Sequence, residues 1–216
     1  MTKEEIANKV QDIVMSHMVY VDDSVIHKDE MIETGDIDHF ESYYNEMADA
    51  AIENGGEIPD SFEFSGDCDN AALTAMDLLV FRYKQDPMDV ANAIVYLLED
   101  GKIGGGHMVT LLRTDDKKDA YVIDINLIRY LDGYKNTIGS YDFKGMVKNK
   151  AIEPIVVMLS DIQKDEGLTI KNDSRFLDTK YQFVVEKIID GFGNVVNAYE
   201  EEVAGWDFVK FYKKEE

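Results

Sequence analysis

The amino-acid sequence predicts an α+β domain in which helices come first and an antiparallel β-sheet follows. Two observations favour this class. Apolar residues recur at helical spacing in the first half of the chain, and they alternate at strand spacing after the run Gly104-Gly105-Gly106. The 216 residues show no internal repeat and no Pro- or Ser-rich linker, so we expect residues 1–216 to form a single domain.

Four helices are predicted in the first half of the chain. Each has apolar residues three or four positions apart, and Gly or Pro lies near several of the ends. The predicted helices cover residues 3–17, residues 38–54, a segment that begins at Cys68, and residues 88–99. We expect the connecting residues 19–37 and 59–66 to be irregular.

Strands dominate the predicted second half. They are short segments rich in β-branched and aromatic residues, bounded by charged or glycine-containing turns. Asp190-Gly191-Phe192-Gly193-Asn194 predicts a hairpin turn. The predicted strands cover residues 107–112, 120–126, 155–159, 184–189, 195–199 and 206–212.

The first predicted hairpin carries a histidine and an aspartate that we expect to meet. If Asp115 and Asp116 form the centre of its turn, His107 lies directly opposite Asp124, with Cβ atoms about 4.5–5.5 Å apart. A catalytic histidine usually needs a carboxylate beside its second ring nitrogen to hold its orientation. His107 and Asp124 are therefore candidate site residues.

Cys68 is the only cysteine in the sequence, so it is either a core residue or a reactive thiol. It begins the third predicted helix, and the positive end of a helix dipole favours a thiolate. Near His107 it would form a thiolate–imidazolium pair, in which the sulfur attacks a carbonyl and the histidine protonates the leaving amine. Cys68, His107 and Asp124 thus form a candidate catalytic triad.

Asp67 and Asp69 flank this cysteine and place negative charge beside a group that must itself become negative. Two explanations are open. The carboxylates cap the start of the helix, or they bind a hard cation such as calcium, which prefers oxygen ligands. Asp67 and Asp69 are therefore candidate metal ligands and calcium is a candidate cofactor, although the thiol chemistry requires none.

Three segments, in this order, resemble the bacterial transglutaminase-like cysteine proteinases. They are similar to the family's GDC[ED]D-x-A, GH-x-V and YVLDN-like motifs, and the resemblance covers roughly residues 59–143. Asn70 stands where many members carry a further acid. The segments are Gly66-Asp67-Cys68-Asp69-Asn70-Ala71-Ala72, Gly106-His107-Met108-Val109 and Tyr121-Val122-Ile123-Asp124-Ile125-Asn126.

The resemblance implies a papain-like or transglutaminase-like fold, with the nucleophile at a helix start that packs on an antiparallel sheet. It implies a cysteine endopeptidase (a thiol protease) acting on a protein or peptide substrate. Cys68 would be the nucleophile, His107 the general base and acid, and Asp124 the residue that orients the imidazole. Some members of the family are calcium-dependent, and their calcium ligands match Asp67 and Asp69.

Two alternatives to hydrolysis are open. In the first, the same site transfers the acyl group to an amine instead of water, as transglutaminases do. In the second, the chain is a non-enzymatic acidic binding or inhibitor module on the same fold.

The formal net charge of −22 narrows the choice of partners. Nucleic-acid binding needs clustered Lys and Arg, so DNA and RNA are not expected partners, whereas a basic protein is compatible with this charge. No apolar run matches a signal-peptide core or a membrane span. We therefore expect a soluble, cytoplasmic protein that does not bind membranes.

Overall fold

The computed structural model describes residues 1–21, 41–131, 142–171, 178–197 and 205–212. Within these ranges the fold combines helices with a six-stranded antiparallel sheet, which confirms the predicted α+β class at this coarse level. No helix in these ranges is both long enough and apolar enough to cross a membrane.

The described helices and strands have the following bounds. The helices are α1 (Lys3–His17), α2 (Tyr44–Glu53), α3 (Cys68–Asp77), α4 (Phe143–Lys148) and α5 (Leu159–Ile162). A π-helical turn (Leu78–Arg82) extends α3, and a 3-10 turn (Pro87–Asp89) leads into the sheet. The strands are β1 (Met18–Tyr20), β2 (Phe64–Gly66), β3 (Val90–Glu99), β4 (Lys102–Arg113), β5 (Ala120–Ile123), β6 (Ile128–Tyr130), β7 (Ile152–Pro154), β8 (Val157–Met158), β9 (Leu168–Lys171), β10 (Asp178–Tyr181), β11 (Phe183–Asp190) and β12 (Val195–Asn197).

The main sheet has the strand order β12-β11-β3-β4-β5-β8, and all neighbours in it are antiparallel. β3 and β4 are its longest strands and pair along most of their length. Smaller ladders join β1 to β2 in parallel, and β6 to β7 and β9 to β10 antiparallel.

Both faces of the main sheet are covered. Leu112 of β4 belongs to a core shared with α1, α3 and α4. Its neighbour Leu111 belongs to a second core, which includes Tyr181 of β10, Val185 of β11 and Trp206. Successive strand residues point to opposite faces, so β4 contributes to both cores.

Residues 88–99 form a strand over most of their length, so the prediction of a helix there was wrong. Pro87 does begin a helical turn, but the turn ends at Asp89 and β3 begins at Val90. β3 lies between β4 and β11, where residues on both of its faces are buried. Such a strand carries a continuous apolar run, which periodicity cannot distinguish from a buried helix.

The β4–β5 hairpin forms, but its register differs by two residues from the predicted one. Thr110 pairs with Ile123, and the tip includes Lys117 in a left-handed conformation with φ of 60°. The prediction that His107 and Asp124 lie directly opposite each other was therefore wrong. A shift of two residues preserves the face to which each side chain belongs, so the two can still meet.

The predicted helices at residues 3–17 and from Cys68 are confirmed, and the predicted helix at residues 38–54 is confirmed in part. α1 covers residues 3–17, and α3 begins at Cys68. α2 begins at Tyr44, six residues after the predicted start at 38, and the predicted positions up to residue 40 lie outside the described part. Of the predicted irregular segment 19–37, the first two residues belong to β1 and those from 22 onward are not described.

The C-terminal strand predictions are confirmed only in part. β11 and β12 form the predicted hairpin. Residues 206–212 do not form a strand, and one isolated bridge joins Phe211 to Val185. Residues 155–159 hold only the two-residue β8, because α5 begins at Leu159.

Candidate active site

Cys68 is held at the first residue of α3 by the segment that precedes it. β2 ends at Gly66, and Asp67 is the N-cap of the helix. The Asp67 carboxylate accepts a hydrogen bond from the N–H of Asp69 at 3.1 Å, and the Asn70 side-chain oxygen accepts one from the N–H of Asp67 at 3.0 Å. This capping box fixes the path by which the chain enters α3.

The capping box of α3 also needs a glycine at position 66. A Cβ atom at this position would lie 2.4 Å from Asn70 Oδ1, too close for any real contact. A larger residue would therefore displace the side chain that closes the capping box, and with it the start of α3.

His107 is buried on β4 and contacts Asp124 through Nε2, which lies 2.6 Å from Asp124 Oδ1. Asp124 follows directly after the last residue of β5. In the observed register the two are diagonal neighbours across the ladder, within reach of an imidazole. Because the carboxylate engages Nε2, Nδ1 is the ring nitrogen left for the thiol.

Asp124 is fixed by three further residues. The hydroxyl of Tyr181 donates to Oδ2, and the backbone N–H of Asn126 donates to Oδ1 at 3.0 Å. Gln11 of α1 bonds the Asp124 backbone on both sides: its Nε2 donates to the carbonyl at 2.7 Å, and its Oε1 accepts from the N–H at 3.0 Å. Burying a carboxylate is costly unless its oxygens have hydrogen-bond partners, and both oxygens of Asp124 have them.

Tyr181 acts as a donor because it keeps its proton. Burial first, and then the charge of Asp124, raises the pKa of the Tyr181 hydroxyl well above its ordinary value. The phenol is therefore neutral across the physiological range and can donate to the carboxylate.

Asn126 contacts the same imidazole from a second direction. Its side-chain nitrogen lies 3.1 Å from His107 Nε2. The register of the β4–β5 ladder, continued past Ile123, sets Asn126 opposite His107, which explains this contact. The ring thus has an aspartate as its diagonal neighbour and an asparagine as its opposed neighbour.

Cys68 lines the same cavity as His107 and acts on the pKa of its imidazole. Burial alone lowers the pKa of the imidazole, but the charge and hydrogen bond of Asp124, followed by those of Cys68, raise it to about 10. The ring is therefore an imidazolium at neutral pH. This positive ring contacts the Asp124 carboxylate and lines the cavity together with Cys68.

Cys68 and His107 open onto a cavity of about 300 Å³. This volume is at the lower end of the range for ligand sites in proteins. Most of its remaining wall is apolar, with the backbone of Gly106 at one side. The other lining residues are Tyr20, Leu97, Ile125, Asn126 and Phe143.

Asp67 and Asp69 are placed differently from the triad. Asp67 caps α3, which agrees with one of the two explanations for its position, and Asp69 is buried in the first turn. In the described part of the chain, no three His, Cys, Asp or Glu side chains form a group that could hold a metal ion. Calcium takes about six to eight oxygen ligands, of which these two residues would supply a minority, so calcium binding here stays a prediction.

Sequence reasoning missed Gln11, Asn126 and Tyr181. Gln11 had a signal, because it is a polar residue beside Val10 on the apolar face of an amphipathic helix. Asn126 would have followed from the correct hairpin register. Tyr181 had none, since its contact with Asp124 joins residues 57 positions apart in the chain.

No family model matches the chain, and no curated protein matches it at a significant level. The function therefore has to be argued from the chemistry of Cys68, His107 and Asp124 and from the cavity beside them.

Proposed function

We propose that the chain is a cysteine peptidase with a papain-like or transglutaminase-like fold, which hydrolyses a peptide bond in a protein or peptide substrate. One observation carries the proposal. The buried imidazole of His107 has the Asp124 carboxylate 2.6 Å from Nε2, and it lines one cavity together with Cys68, which helps to raise the pKa of the ring. This is the arrangement that activates a thiol for nucleophilic attack.

Acylation uses the thiolate and the imidazolium in turn. The Cys68 sulfur attacks the carbonyl carbon of the substrate and forms a C–S bond, and the carbonyl electron pair moves to oxygen. As the tetrahedral intermediate collapses, the C–N bond breaks and His107 gives its proton to the leaving amine. The product is a thioester on Cys68 and a neutral His107.

Deacylation returns the site to its starting state. His107 now takes a proton from water as the water oxygen attacks the thioester carbon. The C–S bond breaks, a carboxylic acid leaves, and the thiolate–imidazolium pair is restored. Asp124 stabilises the imidazolium and keeps Nε2 engaged throughout, so that Nδ1 stays toward the sulfur.

The negative charge on the substrate oxygen needs hydrogen-bond donors. The backbone N–H of Cys68 is our candidate for one of them, because the first N–H groups of a helix have no acceptor within the helix. It also lies at the positive end of α3, where a developing anion is stabilised.

The partners follow from the same site and from the charge. Hydrolysis of a peptide bond requires a protein or peptide as the substrate. The net charge of −22 favours a substrate with basic residues near the cleaved bond. Calcium at Asp67 and Asp69 stays a prediction, and the chemistry does not require it.

Alkylation of Cys68 by iodoacetamide at pH 6 tests the proposal. The sulfur bonds to the carbon of iodoacetamide and iodide leaves. Only the thiolate reacts, so the rate depends on the fraction of Cys68 that is deprotonated. We expect Cys68 in the wild type to react about a hundredfold faster than in His107→Ala, because an ordinary thiol is almost fully protonated at pH 6. His17→Ala is the matched control, because His17 bonds the carbonyl of Phe62 and lies outside the site, and it should leave the rate unchanged.

Equal alkylation rates in the wild type and in His107→Ala would end the proposal. Cleavage of an unfolded protein such as carboxymethylated casein, absent in Cys68→Ala, tests the peptidase activity itself. Adding methylamine separates hydrolysis from transfer to an amine, since mass spectrometry distinguishes a new carboxyl terminus from a methylamide.

A further inference from the structure

The edge of β4 beside His107 is open. β4 pairs with β3 from Lys102 to Leu112, but with β5 only from Thr110 to Arg113. In the described part of the chain, residues 105–109 therefore have a partner strand on one side only. Successive residues in an antiparallel ladder face alternate neighbours, so either Gly105 or Gly106 directs its N–H and C=O away from β3.

The glycines on this edge have no internal explanation. Every other described glycine either has a positive φ or would bring a Cβ into close contact with a neighbouring atom. Gly105 and Gly106 have neither a positive φ nor any atom within 4 Å of an added Cβ, and both are exposed. Glycine in the interior of a strand is destabilising, so two of them here lower stability without serving the fold.

Glycine in a strand does serve one external purpose, which is to let another backbone approach closely. Gly106 lines the same cavity as Cys68 and His107. The exposed main-chain groups are therefore next to the nucleophile, where a substrate has to lie.

We propose that the substrate binds as an added β-strand along the open edge of β4 at Gly105 and Gly106, which places its scissile bond beside Cys68. The proposal rests on the peptidase function proposed above and names its substrate class: an extended, unfolded segment of polypeptide. Main-chain hydrogen bonds supply the affinity, as in other complexes formed by strand addition.

The cavity adds a preference for certain side chains. Tyr20, Leu97, Ile125 and Phe143 supply apolar wall to the cavity that Gly106 also lines. A strand that runs past Gly106 presents alternate side chains to this wall. We therefore expect a large apolar residue close to the cleaved bond.

Chloromethyl ketones test strand addition without knowledge of the natural substrate. The Cys68 sulfur displaces chloride from the probe, and the rate of inactivation is measured by mass spectrometry. The peptidyl probes are acetyl-Ala-Ala-Phe, acetyl-Ala-Ala-Leu and acetyl-Ala-Ala-Ala chloromethyl ketone. Chloroacetone carries the same reactive group without a peptide, so the ratio of the two rates isolates peptide binding.

We expect the best peptidyl probe to react with the wild type at least about tenfold faster than chloroacetone, the gain that one or two main-chain hydrogen bonds provide. Gly105→Val and Gly106→Val should reduce this gain, because a valine side chain projects from the face of the strand and fills space that the substrate's own side chains would occupy. Neither should lower the melting temperature, because valine has space there and a higher strand propensity.

Lys102→Val is the matched control, since it adds the same side chain to the same strand outside the glycine pair, and it should keep the gain. Methylation of single amide nitrogens in the best probe gives a second readout. Strand pairing predicts that methylation is harmful at every second residue, where the N–H points to β4, and tolerated between them.

Three results would overturn strand addition. No peptidyl probe reacts faster than chloroacetone, or both glycine variants keep the wild-type ratio of the two rates, or the variants slow chloroacetone as much as they slow the peptidyl probes. Failure of the peptidase proposal looks different. In that case iodoacetamide and chloroacetone both react slowly with the wild type, and His107→Ala changes neither rate.

Discussion

At the scale of single residues, Asp124 is the most constrained group in the site. Its side chain bonds His107 and Tyr181, and its backbone is held by Gln11. A buried carboxylate is costly unless it is paired and hydrogen-bonded, and this one is both. Burial lowers the pKa of His107, and Asp124 is the main group that raises it.

Asp124→Asn should lower the pKa of His107 from about 10, because it removes the charge that raises it. The raised pKa contributes stability that is fully present below about pH 6.5, the value for an unfolded histidine, and is lost as the pH rises toward 10. The wild type should therefore lose more unfolding free energy than the variant between pH 7 and pH 10. NMR titration of the His107 ring and urea unfolding at several pH values measure the two effects, and an unchanged ring titration would contradict this account.

Tyr181→Phe should slow the alkylation of Cys68 and lower the unfolding free energy by about 2 kcal/mol, because it removes a hydroxyl donor from a buried charged acceptor. Tyr212→Phe is the matched control, since Tyr212 packs edge-on against Tyr96 outside the site. Equal losses in both variants would mean that the Tyr181 hydroxyl has no special role. Iodoacetamide kinetics at pH 6 and urea unfolding provide the two readouts.

At the scale of elements, the start of α3 decides where the nucleophile lies. The sequence placed this start correctly at Cys68, because an acid followed by a helical apolar pattern is a strong local signal. The sequence could not decide between helix and strand for residues 90–99, where burial depends on strands distant in the chain. It also misplaced the centre of the hairpin turn by one position, which shifts each cross-strand partner by two, since the left-handed residue there is Lys117 rather than a glycine.

Asp67→Ala should lower the unfolding free energy by about 1 kcal/mol through loss of the N-cap, and Asp67→Asn should recover most of it, because asparagine also caps helices. The same pair of variants tests the calcium prediction. If calcium binds here, millimolar calcium raises the melting temperature of the wild type and does so less in Asp67→Asn. Asp142→Ala, which removes the cap of α4, is the control and should keep the calcium effect of the wild type.

At the scale of the whole molecule, one buried ion-pair cluster ties the ends of the described fold together. Arg113 of β4 donates to Asp89 through Nε at 2.9 Å and lies 5.5 Å from the ring centre of Trp206. Lys3 of α1 bonds the other oxygen of Asp89 at 2.9 Å, and Arg113 also reaches the carbonyl of Gly205 at 2.7 Å. The N-terminal helix, the sheet and the C-terminal segment thus meet at the Arg113–Asp89 pair.

Arg113→Leu should lower the unfolding free energy by about 3 kcal/mol, because it leaves the largely buried Asp89 carboxylate paired with Lys3 but no longer with Arg113. Burial raises the pKa of Asp89, but Lys3 and Arg113 outweigh it and hold the pKa below its ordinary value. The stability from this pairing is therefore present above about pH 4 and is lost as the pH falls further. The unfolding free energies of the wild type and Arg113→Leu should therefore approach each other in acid.

Arg129→Leu is the matched control, since Arg129 pairs with Glu153 in solvent at 2.9 Å, and it should cost less than about 1 kcal/mol. Urea unfolding of both variants, at neutral pH and near pH 3, gives the comparison. Similar losses in the two variants would show that the buried cluster adds nothing beyond an ordinary surface pair.

The triad draws on the full length of the described chain, and this sets the order in which a new molecule becomes complete on the ribosome. Gln11 and Cys68 emerge first, His107 and Asp124 follow, and the hydroxyl of Tyr181 comes last. A growing polypeptide therefore carries its nucleophile long before the donor that holds Asp124 has been synthesised. The complete set of hydrogen bonds around Asp124 can therefore form only after residue 181 has been synthesised.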